Sequence, residues 1–130
     1  MRVGNLKRSI VIFFFFYFFS FNLYSENTNG YAVTLGALDK ITAKFSEFDI
    51  RVGEKLKFGS LNIKIHECQK RPPEEIPENF VLLEIIDEID LSNPLIVFSG
   101  WMLSSSPSLS TLEHPTYDIW AKDCKIIETN

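Results

Sequence analysis

The segment KLKFGSLNIKIHE, residues 55–67, decides the fold class of this chain. Apolar and polar residues alternate on both sides of Gly59-Ser60, and alternation with period two is the pattern of a half-buried β-strand. A Gly-Ser pair between two such runs predicts a tight hairpin, because glycine adopts the positive φ of the turn without steric cost. His66 falls on the polar face of the second strand, where a solvent-facing role is expected. Cys68 has the parity of His66, so we expect the strand to end, bulge or twist before the cysteine.

The hairpin is flanked by further runs of strand character. Period-two alternation occupies residues 31–38, 41–45 and 47–52, and nearly continuous apolar runs occupy residues 80–86 and 95–103. Continuous apolar runs are typical of strands that are buried within a sheet. Gly36 lies inside the first run and predicts a β-bulge. Together these runs predict an all-β domain, a small antiparallel β-sandwich or partly open barrel of about 7–8 strands.

The stretch VFSGWMLSSSPSLSTLEHPTYDIWAKDC, residues 97–124, is predicted to close the domain. Ser106 suits a helix N-cap and Pro107 the first helical position, so one short helical turn is expected over residues 107–113. A last strand then leads to Cys124. Its parity places Trp120 on the surface, whereas Trp101 is expected in the core.

The N-terminal residues have the pattern of an export signal. Arg2, Lys7 and Arg8 precede an apolar run over residues 10–21, and cleavage is expected after Ser25. This run is shorter than the roughly 20 residues of a membrane-spanning helix. The predicted organisation is a signal peptide over 1–25, a disordered tail over 26–30, a single β domain over 31–124 and a frayed tail over 125–130. An uncleaved membrane anchor is the alternative, and after cleavage no stable membrane insertion is expected.

The charge of the exported chain restricts its partners. The sequence has 13 basic and 17 acidic side chains, and residues 1–25 hold three basic and no acidic ones, which leaves ten against 17, a net charge of −7. Such acidity argues against nucleic acid, because Lys and Arg contacts with phosphate supply most of that affinity. The partner classes that stay open are an envelope protein, a lipid or a glycan, and no cofactor motif is recognised.

The two cysteines, Cys68 and Cys124, have one simple use in an exported chain. Disulfides persist in oxidising compartments, so a disulfide between these two residues is expected. Two free thiols, or a metal site that includes His66, are the alternatives. Structural zinc sites use four ligands at short characteristic spacings, and this chain lacks such spacings.

Two functional hypotheses follow from the remaining polar and aromatic residues. An envelope or cell-wall hydrolase would have to use Glu84, His114 and a serine, but the sequence has no G-x-S-x-G motif. Aromatic residues with a polar group are enriched at interfaces. A non-catalytic binding or assembly module, with Trp120, His114 and Tyr117 as candidate partner contacts, is therefore the main prediction.

The combination of LDK, VGE..KFG, RPPE and FSGWM..SSP.L..LEHP.YD.W...C resembles the exported alphaproteobacterial family called domain of unknown function family 2155. The resemblance covers about residues 32–124. It implies a periplasmic or envelope location and a disulfide between Cys68 and Cys124, and it implies no activity.

Overall fold

The computed structural model describes residues 10–14, 26–108 and 112–128. Residues 10–14 are helical, and the rest of the predicted signal peptide lies outside the described residues. Within the part of the chain that the structure describes, no helix has the length and apolar character needed to cross a membrane. The strands are β1 (Thr28–Asn29), β2 (Ala32–Asp39), β3 (Lys44–Arg51), β4 (Lys55–Phe58), β5 (Leu61–Lys70), β6 (Asn79–Asp87), β7 (Leu95–Leu103), β8 (Leu112–Glu113) and β9 (Tyr117–Lys125).

The strands form two antiparallel sheets, and no closed barrel is present among the described residues. In the larger sheet, β5 pairs with β6 and β6 with β7, while β4 and β1 share the other side of β5. The smaller sheet has the order β3-β2-β9-β8. The sequence-based prediction of an all-β antiparallel sandwich is therefore confirmed.

The predicted hairpin of residues 55–67 is present as β4 and β5. Leu56 lies opposite Ile63 and Phe58 opposite Leu61, and Gly59 has the positive φ of 58° that the turn requires. Tertiary packing also requires glycine at this position, because a Cβ on Gly59 would overlap the Tyr117 hydroxyl group. Local turn chemistry and tertiary packing therefore select the same residue.

The core lies between the facing sides of the two sheets. Its largest buried side chains are Leu35, Leu61, Ile63, Ile65, Leu83, Ile85, Met102, Leu112 and Ile119. A register shift between Ile65 and Glu67 turns Cys68 to the buried side of β5. The predicted irregularity before Cys68 is confirmed, and its effect is to aim the sulfur at the opposite sheet.

The N-terminal segment differs from the prediction. Residues 26–30 were expected to be disordered, but Thr28 lies opposite Lys70 and Asn29 opposite Gln69 on β5. The backbone N–H of Gly30 also donates to the Cys68 carbonyl at 2.9 Å. Polar composition predicts disorder, whereas an open stretch of the β5 edge supplies backbone partners that no local pattern reveals.

Three further predictions need correction. Leu112 and Glu113 form strand β8 rather than the end of a helical turn, because they pair with Ile119 and Asp118; residues 109–111 lie outside the described residues. Trp101 is 41% exposed rather than in the core.

The third correction concerns Gly36. It sits at a regular position of β2 opposite Trp120, and the register shift in that pairing occurs between Thr34 and Leu35. The glycine is needed there for space, not for a bulge.

Candidate functional site

A disulfide between Cys68 and Cys124 joins the larger sheet to the smaller one. The two Cα atoms are 5.8 Å apart and both residues are fully buried. Gly30 lies directly on the bond, because a Cβ on this residue would overlap the Cys124 sulfur and lie 2.6 Å from the Cys68 sulfur. The expected disulfide is thus present, and Gly30, which directly follows β1, covers it.

A buried carboxylate lies at the same end of the sandwich. Glu78 accepts hydrogen bonds from the backbone N–H of Asn79 at 3.1 Å and of Ser105 at 3.0 Å. The hydroxyls of Ser104 and Ser105 donate to it as well. Burial raises the pKa of Glu78, but the hydrogen bonds from Ser105, Ser104 and Asn79 outweigh burial, so the pKa lies below its ordinary value.

The neighbouring amide of Asn79 links this cluster to the disulfide. Its side-chain oxygen accepts a hydrogen bond from the backbone N–H of Cys124 at 3.1 Å. Its side-chain nitrogen donates to the Ser104 hydroxyl at 3.0 Å. Ser104 and Ser105 therefore tie the turn after β7 to the start of β6, and Asn79 connects β6 to β9.

His114 is fixed at the opposite end of β6. Its Nε2 lies 2.9 Å from Asp87, and its Nδ1 accepts a hydrogen bond from the backbone N–H of Thr116 at 3.1 Å. Because Nδ1 accepts, Nε2 carries the proton and donates to Asp87 in the neutral ring. Both nitrogens are thus engaged, and neither is available as a general base in this arrangement.

Asp87 also accepts a hydrogen bond from the hydroxyl of Ser60. This hydrogen bond is the main reason that the pKa of Asp87 is lowered; partial burial opposes it, and His114 adds to the lowering. In a catalytic triad the histidine lies between the serine and the carboxylate. Here the carboxylate lies in the middle, so the order does not activate Ser60.

Tyr117 completes this cluster. Its ring stacks on His114 with centroids 5.5 Å apart and meets the edge of Phe58 at 5.4 Å. Tyr117 is half-buried at the end of the core and also covers Gly59. These contacts give His114 and Tyr117 a packing role between the β4–β5 turn and the start of β9.

Trp120 lies on the outer face of the smaller sheet, on the other side of β9 from Tyr117. A Cβ on Gly36 would overlap the Trp120 indole ring, so the ring lies over the bare backbone of β2. Phe45 stacks beside it at a centroid distance of 5.8 Å and is 53% exposed. Lys122 pairs with Glu47 on the same face and lies 5.9 Å from the Phe45 ring.

The most exposed apolar side chains of the sheets lie on β7, a strand that contains none of the predicted site residues. Leu95 is 63% exposed and Ile96 58% exposed. Ile96 lies opposite Ile86, and Trp101 lies opposite Leu82, so these four side chains share the outer face of the larger sheet. We call Leu82, Ile86, Ile96 and Trp101 the β7 surface.

A signal for the β7 surface was present in the sequence. Counting from buried Met102, the alternation of a strand places Trp101 on the opposite face. The apolar run LIVFSGWML nevertheless reads as fully buried, because nothing local shows that the second sheet covers only one of its faces.

The structure does not gather the predicted residues into one place. His114 and Tyr117 are in contact, whereas Trp120 points away from them on the outer face of the smaller sheet. Glu84 lies in the middle of β6, opposite Ser99, on the outer face of the larger sheet. Ser104 and Ser105 lie beyond the far end of β6 from His114, and a nine-residue strand spans about 30 Å. The hydrolase hypothesis requires groups that are dispersed over the molecule.

A metal site that uses the cysteines and His66 is the alternative to the disulfide. Among the described residues, no group of three or more His, Cys, Asp or Glu side chains is arranged to hold a metal ion. Both sulfurs are committed to the disulfide.

Comparison with known proteins gives the chain a family. Residues 33–124 match the family described as "Uncharacterized protein conserved in bacteria (DUF2155)". An uncharacterized protein of Rickettsia prowazekii (strain Madrid E) is 43% identical over 107 residues, which cover 79% of this chain and 67% of that protein. No solved structure matches the chain significantly. The matched region contains both cysteines and strands of both sheets, and the chain therefore belongs to the DUF2155 family of bacterial proteins.

Proposed function

We propose that this protein is an exported, non-catalytic binding or assembly module of the bacterial cell envelope, located in the periplasm. The observation that carries the binding role is the β7 surface, where Ile96 is 58% and Trp101 41% exposed. Large exposed apolar side chains that share one face of a sheet are candidates for an interaction site, because monomeric proteins rarely expose large apolar patches.

The buried disulfide supports export. Cys68 and Cys124 are bonded in the core, and such bonds are typical of oxidising compartments. The residues before Ser25 have the composition of a signal peptide. Fractionation of bacteria that express the full chain tests this part. We expect a periplasmic protein whose first residue is Glu26, and a cytoplasmic protein with two free thiols would contradict it.

The non-catalytic role is supported by how the polar candidates are used. Glu78 is satisfied by serines and backbone N–H groups, and both ring nitrogens of His114 have partners. These groups stabilise the ends of the sandwich.

Site-specific photocrosslinking in intact bacteria tests the binding role. A photoreactive residue replaces Ile96 in one strain and exposed Thr42 in a control strain. We expect adducts of defined mass from position 96 alone, which mass spectrometry assigns to a protein, a lipid or a glycan. Equal yields at both positions, or none at position 96, would contradict a binding role for the β7 surface.

A further inference from the structure

One edge of the larger sheet is formed by a strand without charged residues, whose register shifts between Ile96 and Phe98. β7 is an edge strand, and no strand of the described residues pairs with its outer side. Its sequence LIVFSGWML contains no charge and no proline. Soluble proteins usually protect such edges with charged residues, prolines or a covering segment, because an open edge pairs with other chains.

The other long edge strand shows the usual protection. β3 forms an edge of the smaller sheet and carries Lys44, Glu47, Asp49 and Arg51 in eight residues. Two of these, Glu47 and Asp49, form ion pairs with lysines of β9. One molecule thus has a charged edge and an uncharged one, which indicates that the β7 edge is kept for pairing.

The segment of the chain that contains β6 and β7 is acidic. Residues 72–113 contain no Lys, Arg or His; their eight charged residues are Glu74, Glu75, Glu78, Glu84, Asp87, Glu88, Asp90 and Glu113. Asp87 is engaged by His114 and Glu88 by Lys57. Glu84 has no hydrogen bond or ion pair of its carboxylate within the described residues, although Lys64 lies opposite it.

Glu84 is placed to contact a strand that is added beside β7. It lies opposite Ser99 on the outer face, and Ser99 is small and exposed. A residue of an added strand opposite Ser99 would be two strand spacings, about 10 Å, from Glu84. A lysine or arginine side chain at that position can reach across Ser99 to the carboxylate, whereas a second copy of this acidic region would bring like charges together.

We propose that the β7 edge binds an extended, cationic segment of a partner protein by β-strand addition. Backbone hydrogen bonds to β7 provide the affinity, apolar side chains of the segment cover Ile96 and Trp101, and a basic residue of the segment meets Glu84. This inference rests on the proposed binding function and names the class of its partner.

Peptide binding to the mature chain, residues 26–130, tests the inference. The probes are two labelled nine-residue peptides that alternate valine with lysine or valine with glutamate. We expect the lysine peptide to bind at least roughly tenfold more tightly by fluorescence anisotropy, and to bind more weakly as salt screens the charges. Hydrogen exchange should slow at β7 amides and stay unchanged at β3 amides.

A matched pair of variants locates the contact. Ser99→Lys adds a positive charge to the β7 edge and should weaken the lysine peptide roughly tenfold or more. Thr42→Lys makes the same change of charge in the exposed β2–β3 turn and should leave binding unchanged. Circular dichroism shows whether each variant is folded. If Ser99→Lys does not fold, the double variant Ser99→Thr, Glu84→Gln replaces it. We then expect the preference for the lysine peptide over the glutamate peptide to become smaller.

Several results would overturn the inference. These are equal binding of both peptides, no saturable binding up to about 1 mM, or self-association of the mature chain that Ser99→Lys abolishes. Failure here is distinguishable from failure of the proposed function. Adducts at position 96 without preference for the cationic peptide would retain the binding module and reject only this partner class.

Discussion

At the scale of single residues, Gly36 shows how a missing side chain positions a functional candidate. Its added Cβ would lie 2.6 Å from Trp120 Nε1 and 2.7 Å from Cζ2. We expect Gly36→Ala to displace the indole ring and to cost about 1–3 kcal/mol in the free energy of unfolding. Tryptophan fluorescence in a Trp101→Phe background should move to longer wavelength, because Trp120 loses its contact with the sheet.

A double-mutant cycle separates two effects of Gly36→Ala, the overlap of the new Cβ with the Trp120 ring and the loss of the conformational freedom of glycine. Without the ring, alanine in place of a strand glycine should stabilise by about 0.5–1 kcal/mol. Gly36→Ala is therefore expected to destabilise the parent and to stabilise the Trp120→Ala variant, as measured by urea unfolding. Equal destabilisation in both backgrounds would contradict the packing of Trp120 over Gly36.

The sequence predicted a residue's position correctly where the alternation of inward and outward side chains along its strand was enough to decide it. The parity of Cys68 predicted an irregularity in β5, and the register shift before it supplies one. Trp101 could not be placed in the same way. Strand alternation predicts only that Trp101 and Met102 point to opposite faces of the sheet. Which of these faces the second sheet covers depends on contacts that are distant in sequence.

At the scale of elements, β1 is a two-residue strand whose pairing with β5 holds the following residue, Gly30, over the disulfide. Deletion of residues 26–30 removes the Gly30 N–H bond to Cys68 and uncovers both sulfurs. We expect dithiothreitol to reduce the disulfide of the native deletion variant roughly tenfold faster, because local opening no longer limits access. Timed alkylation and mass analysis measure this rate.

The matched control for this deletion is Thr28→Ala. It keeps the backbone of β1 and its pairing with β5, and the rate of reduction should stay close to that of the parent. An unchanged rate in the deletion variant would mean that reduction requires global unfolding, and the shielding role of β1 would be wrong.

Strands were predictable from the sequence when neighbouring residues determine them, and were missed when pairing with a distant strand determines them. The β4–β5 hairpin has both alternation and turn chemistry within residues 55–67, and it was predicted correctly. β8 consists of two residues whose strand conformation comes from Ile119 and Asp118 on β9. The capping pattern at Ser106 and Pro107 was a plausible local signal for a helix, but pairing with β9 fixes residues 112–113.

At the scale of the whole molecule, the disulfide cross-links the two sheets. The cysteines are 56 residues apart, and the chain-entropy model gives about 4 kcal/mol for a loop of this size. Small domains are stable by only about 5–15 kcal/mol. We expect the Cys68→Ala, Cys124→Ala double variant to lose most of this contribution in guanidinium unfolding. A loss below about 1 kcal/mol would contradict the model.

The distribution of carboxylates predicts the response of the whole fold to acid. Hydrogen bonds lower the pKa of Asp87 through Ser60 and of Asp49 through Lys125 and Thr34, and those to Glu78 outweigh the opposing effect of its burial. A carboxyl group whose pKa is lower in the folded state stabilises the protein above its unfolded pKa, about 4, and loses this contribution as pH falls through the folded value. The melting temperature should therefore be nearly constant from pH 6 to about pH 5 and fall steeply below about pH 4.

The Asp87→Asn variant shows how much of this dependence comes from one group. The amide cannot ionise, so the variant should melt at a lower temperature than the parent near pH 6, and the difference should shrink as pH approaches 2. Differential scanning calorimetry measures both curves, and Asp123→Asn, which alters a carboxylate in the exposed ion pair with Lys70, is the control with a small expected effect. A constant difference between the two proteins across this range would show that Asp87 contributes packing rather than charge, and the acid sensitivity would then have to come from Glu78 and Asp49.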